Sequence, residues 1–221
     1  MCSRYTLTDL KALLALVEAT GLGVDIDLDV LPARYNVAPT RRMPVILRDG
    51  ETRGAAMRFG LTLPARNPAE KPLLVANARA ETLLIRQGFR DATQRRRCLV
   101  PADGFYEWEK QGRVRLPHYF ALKNRAAFFF AGLWEPATDT TPTSFAIVTT
   151  TPNTLLRPIH DRMPVMLGPN SGPAWLGDSP LEPARLAQLC RPLPAERMTG
   201  WRVDPRVNIA RYEAADCVAP V

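Results

Sequence analysis

The chain has 221 residues, 46% hydrophobic and 23% charged, which suits a folded protein with one well-filled core. A formal net charge of +7 points to an acidic partner, with nucleic acid first among the candidates. No apolar run approaches the ~20 residues of a membrane helix, and the four cysteines (Cys2, Cys98, Cys190, Cys217) form no CxxC pair, which argues against a membrane span and a zinc site.

Residues 6–20 read as a helix, with Thr6 and Asp9 as a capping pair, an apolar stripe of Leu10, Leu13, Leu14 and Val17, and Gly21 as the stop. Pro32 and Pro39 frame an irregular stretch around Arg34–Thr40. A hairpin follows: one strand over 44–48, a turn at Asp49-Gly50, and a return from Thr52 to Leu61. Pro64, Pro68 and Pro72 mark a surface loop over 64–72. Ala80–Gln94 forms a second helix, weakened by Gly88. Strands are expected at 97–100, 117–122, 126–133, 144–150 and 163–167, each rich in β-branched or aromatic residues, and a short helix near 183–191. The 21 prolines imply rigid, irregular connections. The sum is an α+β fold: a single domain over residues 1–221, with a curled mixed, barrel-like β-sheet flanked by short helices.

Chemistry begins at Cys2. An initiator methionine followed by a small residue is open to removal, which would leave an α-amine and a thiol on one carbon skeleton. Such an aminothiol condenses with an aldehyde to an imine, and sulfur then closes a five-membered thiazolidine. An α-amine with pKa ~8 is already partly neutral at physiological pH, and arginines such as Arg4 favour thiolate. By position alone, Cys2 reads first as an ordinary second residue tucked into the core. Cys98, Cys190 and Cys217, set among apolar neighbours, read as buried small hydrophobes.

His160, in Pro158-Ile-His-Asp-Arg-Met-Pro164, precedes an apolar strand and suits either a general acid or base or a hydrogen-bonded structural role. His118 lies inside a strand pattern and reads as structural. Glu107 stands among Phe105, Tyr106 and Trp108. Apolar bulk there would raise its pKa and make it a proton shuttle, while strand alternation equally allows a solvent-facing glutamate. In Ala76–Thr82, backbone N–H groups and Arg79 would suit a phosphate at a helix start, or the segment is a solvated cap. Arg95-Arg96-Arg97 offers a phosphate track or simply a wet face. Of the 29 basic residues only Lys11, Lys71, Lys110 and Lys123 are lysines, leaving 25 arginines. Arginine's fork suits phosphate, though a GC-rich genome produces the same bias. The N-terminus lacks a secretory layout, so the expected location is cytoplasmic and nucleoid-associated.

Taken in order, several blocks resemble the SOS-response-associated peptidase (SRAP) family. They are Met1–Tyr5, Tyr35–Pro39, Met57–Leu61, Asn77–Thr82, Arg97–Trp108, Ala131–Trp134, Thr149–Asn153 and His160–Val165. The resemblance implies covalent capture, through Cys2, of the ring-opened aldehyde of an abasic site in single-stranded DNA, shielding the lesion from strand cleavage. It makes Cys2 the nucleophile, Asn77 the group that orients the sugar or forming ring, Glu107 the proton shuttle, and His160 an aid to sugar opening. Arg79 would bind phosphate, Arg4 would stand beside the nucleophile, and Arg162, Asn36 and Pro39 would join the DNA contacts. It implies no metal, no cofactor and a monomer. Ser3 replaces a customary glycine, Phe59 a common tryptophan, and Ala65-Arg-Asn67 lacks the usual loop tryptophans.

Three other readings use the same residues. Cys2, His160 and Asn77 superficially fit a cysteine peptidase, either acting on other chains or confined to removing Met1 from its own. A non-covalent single-strand-binding module would rely on basic grooves and aromatics alone. Strand cleavage by β-elimination from the imine would make the chain a lyase, an outcome that fast ring closure by sulfur suppresses.

Overall fold

The computed structural model describes residues 2–24, 33–63 and 73–221, so the expected loop over 64–72 and Pro32 lie outside the described residues. The elements run β1 (Tyr5–Leu7), α1 (Leu10–Thr20), β2 (Arg34–Val37), β3 (Arg42–Asp49), β4 (Glu51–Phe59), β5 (Leu61–Leu63), β6 (Leu73–Val75) and β7 (Asn77–Arg79). They continue with α2 (Gln87–Arg95), β8 (Arg97–Ala102), β9 (Gly104–Gln111), β10 (Val114–Leu122), β11 (Phe128–Glu135) and β12 (Ser144–Thr150). The rest are β13 (Met163–Pro164), β14 (Met166–Leu167), α3 (Ser171–Leu176), α4 (Pro183–Leu189) and β15 (Met198–Arg202). The fold is α+β and mostly strand. No helix among the described residues is long and apolar enough to cross a membrane.

One sheet curls on itself: β12 pairs with β4, β4 with β3, β3 with β8, β8 with β11, and β11 back with β12. Most pairs are antiparallel, but β12 runs parallel to both β4 and β7, so the sheet is mixed as expected. A second, antiparallel sheet has the order β15-β10-β9-β1-β2. Between the two sheets Tyr5 meets Phe59 and Phe130 edge-on, with ring centroids 5.6 and 5.7 Å apart, and Phe105 meets Phe130 at 6.1 Å. Edge-to-face geometry suits the ring quadrupoles and locks the sheets' relative position.

Strand alternation divides the work of β9. Phe105 belongs to this main core, whereas Tyr106 belongs to a smaller one, with Tyr119, Val203, Val207 and Cys217, beneath the C-terminal segment. Glu107, two residues from Phe105, shares its face and is therefore turned inward. Gly104 is required locally, because a Cβ there would collide with the Tyr119 hydroxyl.

Several boundaries differ from expectation. The first helix starts at Leu10, capped by Asp9, whose carboxylate accepts from the Ala12 N–H at 2.9 Å, and not by Thr6. Thr6 is instead in β1, which sits between β2 and β9, and it pairs with Gly104. Sheet pairing outcompetes the local capping signal. Gly21 ends α1 as read, with a left-handed φ of 65° and its N–H on the Glu18 carbonyl at 3.0 Å. The β3–β4 hairpin turns at Gly50 (φ 75°), also as read. The helix expected over 80–94 is a 3-10 turn at Ala80–Thr82 and a separate α2, and the segment before it is strand β7 because β12 offers a parallel partner. The strand at 163–167 splits into β13 and β14, paired to different neighbours. All four cysteines are buried free thiols.

Candidate functional site

Four chain segments deliver the site. Arg4's carbonyl accepts the Tyr106 N–H at 3.0 Å, and Tyr5 lies opposite Phe105, so the chain before β1 runs antiparallel beside β9 and brings Cys2 toward Glu107. Asn77 opens β7 opposite Ile147, and its amide Nδ2 donates to the Cys2 carbonyl at 2.8 Å and the Ile147 carbonyl at 3.4 Å. His160 closes the turn after β12, its N–H bonded to the Leu156 carbonyl at 2.9 Å. Its Nε2 lies 3.9 Å from Glu107 Oε2. The backbone thus gathers Cys2, Asn77, Glu107 and His160 into one neighbourhood.

The electrostatics follow from burial. Cys2 is fully buried and Glu107 is 1% exposed. Desolvation pushes the Glu107 carboxyl up to about 7, where it exchanges protons near neutrality. Desolvation, and then the Glu107 charge, hold the Cys2 thiol well above its usual range, while a hydrogen bond from the Arg4 backbone pulls the other way. His160 is lowered, mainly by burial, with Asp161 opposing. The Arg162 N–H donates to His160 Nδ1 at 3.0 Å, while Asp161 Oδ1, 3.1 Å from the same nitrogen, pulls toward the other tautomer; with the backbone donor in place the neutral ring carries its proton on Nε2, facing Glu107. Asn77 Oδ1 is buried with no hydrogen-bond partner among the described residues. An orphaned buried acceptor costs about 1–3 kcal/mol and marks a place where a donor is wanted.

The arginines and loop residues fall into different surroundings. Arg79 is exposed at the end of β7. Arg4 donates to Asn36 Oδ1 and the Val207 carbonyl, both at 2.8 Å, and lies 5.9 Å over the Trp108 ring. Asn36 is fully buried, and its Nδ2 serves the carbonyls of Val207, Ile209 and Tyr212 at 3.1, 3.2 and 2.8 Å. Its side chain therefore anchors the C-terminal segment. Pro39 is half-buried ahead of Thr40, whose left-handed φ of 79° is held by an N–H to the Phe59 carbonyl at 2.7 Å. Phe59 itself is a core residue, stacked on Phe145 at 5.2 Å. Arg162 grips Glu81 through both fork nitrogens, at 2.7 and 2.8 Å, and the Thr149 carbonyl at 2.7 Å.

His118 lies 3.1 Å from Glu109 on the neighbouring strand. The Arg95–Arg97 run is not a phosphate track. Arg96 pairs with Asp91 and Glu135, and Arg97 is buried against backbone carbonyls that include Trp175, Thr93, Gln94 and Ser179. Two contributors at the site were passed over in the sequence. Glu81 is visible there as a carboxylate four residues after Asn77, but its partner lies 81 positions away, and the Thr149 carbonyl has no side-chain signature at all.

The family model described as SOS response associated peptidase (SRAP) matches residues 1–210. A Bacillus subtilis (strain 168) relative, abasic site processing protein YoqW, is 32% identical over a 223-residue alignment covering 99% of each chain. Abasic site processing protein HMCES of Xenopus tropicalis is 29% identical over 89% of this chain and 69% of its own. A crystal structure of a Bacteroides thetaiotaomicron protein superposes over the full length of both chains, with a TM-score of 0.81 at 25% identity. On a family model that spans almost the whole chain and a full-length relative above 30% identity, this chain belongs to the SOS response associated peptidase (SRAP) family.

Proposed function

We propose that the chain processes abasic sites in single-stranded DNA by covalent capture through Cys2, freed by hydrolysis of the Met1–Cys2 peptide bond. The observation that carries the reading is the meeting of a second-position cysteine with a buried carboxyl that titrates near 7 and an amide on the cysteine carbonyl at 2.8 Å. The names of relatives such as YoqW and HMCES support the lesion class.

Each residue has a task. Neutral His160 donates an Nε2–H hydrogen bond to the ring oxygen as the closed sugar opens; the C1′ hydroxyl proton passes through water to that oxygen, so the aldehyde and a free C4′ hydroxyl form with no net proton change. The Cys2 amine adds to the aldehyde carbon, giving a carbinolamine. Protonated Glu107 hands its proton to the hydroxyl, which leaves as water, and an iminium and a carboxylate remain. The carboxylate then takes the thiol proton as sulfur adds to the iminium carbon. The nitrogen recovers its electron pair, a neutral thiazolidine closes, and Glu107 is protonated again. Aldehyde plus aminothiol gives thiazolidine plus water. Asn77 Oδ1 accepts the amine N–H, which orients the lone pair. Arg79 and Arg4 meet flanking phosphates.

Intact mass before and after incubation with an abasic-site oligonucleotide tests this. Loss of Met1, then an adduct that survives denaturation and is absent from Cys2→Ala, is the expected result. A processed protein that forms no adduct would sink covalent capture and leave self-processing or simple binding. Sulfur closure also predicts that Cys2→Ala gains strand cleavage relative to wild type. Equal cleavage by both would remove sulfur from the mechanism.

A further inference from the structure

The Glu81–Arg162 pair has a place in the architecture that a surface ion pair lacks. Glu81 lies two residues past β7, the strand that carries Asn77, while Arg162 lies one residue before β13 and two after His160. Both strands flank β12: Ile147–Thr149 runs beside Asn77–Arg79, and Thr149–Thr150 beside Pro164–Met163. Arg162 Nη1 and Nη2 hold the two Glu81 oxygens at 2.7 and 2.8 Å, and Nη2 also holds the Thr149 carbonyl of β12 at 2.7 Å. One guanidinium therefore ties three adjacent segments together at the end that carries the site. Its side chain is only 11% exposed, so the pair is partly desolvated and held in a bidentate geometry.

The same residue reaches the imidazole directly. The Arg162 N–H donates to His160 Nδ1 at 3.0 Å and so holds the ring proton on Nε2 against Asp161 Oδ1, which lies 3.1 Å from the same nitrogen and would draw an Nδ1–H. When the outer nitrogen of a histidine is held by a fixed donor, tautomer and ring orientation are both set. Freeing the arginine fork would free the backbone turn that carries this donor. Glu81 reaches His160 through Arg162: its carboxylate holds the fork, and the same residue's backbone N–H holds the ring.

We infer that Glu81 is a positioning residue, which clamps Arg162 across β12 so that the Arg162 backbone N–H holds His160 in its Nε2–H tautomer beside Glu107. The inference rests on the capture chemistry proposed above. It assigns Glu81 a part in rate, through geometry, and none in substrate binding.

Glu81→Ala and Glu81→Gln in the full chain test it with three readouts. Long-range proton–nitrogen NMR of the imidazoles, of which there are two, reports the His160 tautomer without any DNA. Single-turnover adduct formation on an abasic oligonucleotide reports rate, and anisotropy with a tetrahydrofuran-containing oligonucleotide, which lacks the aldehyde, reports affinity. Glu81→Ala is expected to mix the His160 tautomers and to slow capture on the order of 10- to 100-fold, with affinity held within about twofold. Glu81→Gln, which keeps the shape and one acceptor, should fall between Glu81→Ala and wild type in tautomer and rate. An unchanged His160 spectrum in Glu81→Ala overturns the clamp, and so does an affinity loss equal to the rate loss, which would make Glu81 a determinant of DNA binding. Should wild type form no adduct, the function reading fails while the NMR still decides the clamp. Should Glu81→Ala not fold, Glu81→Gln carries both comparisons.

Discussion

Glu107 shows how a single carboxyl acquires its chemistry from what surrounds it. Strand alternation on β9 turns it toward the same side as Phe105, and burial raises its pKa from 4.5 to about 7. The shift has a sign that folding stability must display. A carboxyl whose folded pKa lies above its unfolded one favours the folded state fully below the unfolded value, and that contribution is lost as pH rises through the folded value. Glu107 should therefore cost stability progressively between pH 4.5 and about 7, up to on the order of 3 kcal/mol. Urea melts at intervals across that window should give a decline in wild type that Glu107→Gln flattens. The same variant should capture an abasic site about 100- to 10,000-fold more slowly, as expected for loss of a general acid. A Glu107→Gln protein with the wild-type slope would show that the carboxyl is already ionised in the fold.

At the scale of elements, the junction between β1 and α1 decides where Cys2 lies. Asp103, in the turn between β8 and β9, accepts from the Thr6 hydroxyl, from the Thr8 N–H and hydroxyl at 2.5 and 2.6 Å, and from the Asp9 N–H at 2.8 Å. One buried carboxylate thus fastens the end of β1, the approach to α1 and the start of β9. Removing it takes this acceptor from the buried Thr6 hydroxyl and from the part-buried donors of Thr8 and Asp9. Asp103→Ala should lose on the order of 3 kcal/mol, read as a lower urea midpoint. Capture rate should fall as well, because the loosened β1 no longer delivers Cys2 in register with β9. Asp103→Asn, which keeps an acceptor, should recover part of both. A variant that is destabilised but captures at the wild-type rate would show that β1 is placed by its core contacts alone.

The whole molecule contributes charge and its distribution. With a net charge of +7, the proposed encounter with DNA would be electrostatic, and the arginines proposed to meet phosphate are few. If Arg4 and Arg79 each neutralise one phosphate, affinity for an unreactive oligonucleotide should fall with log[salt] at a slope of about −1.4, a roughly sevenfold loss between ~50 and ~200 mM salt. The adduct, once formed, should survive any salt concentration. A slope much steeper than this would point to further arginines in the binding face, among them the exposed Arg41, Arg42 and Arg53.

Much of this was legible in the sequence, for reasons that are local. The β3–β4 hairpin announces itself through Asp49-Gly50, α1 through its stripe and Gly21, and β12 through its run of β-branched residues, because each signal acts within a few residues. The motif blocks likewise identified the family, together with Cys2, Asn77, Glu107 and His160 as the residues to examine. What only the tertiary structure decided depends on partners distant in the chain. Thr6 left its capping role because β9 supplied a strand partner. Asn77–Arg79 became strand because β12 lay beside it, and Arg97 left the surface because carbonyls from α2 and α3 gathered around it. Glu107 is buried because the Cys2 segment and the turn at His160 gather over the face it shares with Phe105, whereas the sequence of β9 does not say which of its two faces will be covered. The clasp of Glu81 and Arg162 spans 81 positions and leans on a backbone carbonyl. Sequence specifies the groups that can react, while desolvation and long-range pairing, which exist only once the sheets have closed, determine their protonation states and neighbours.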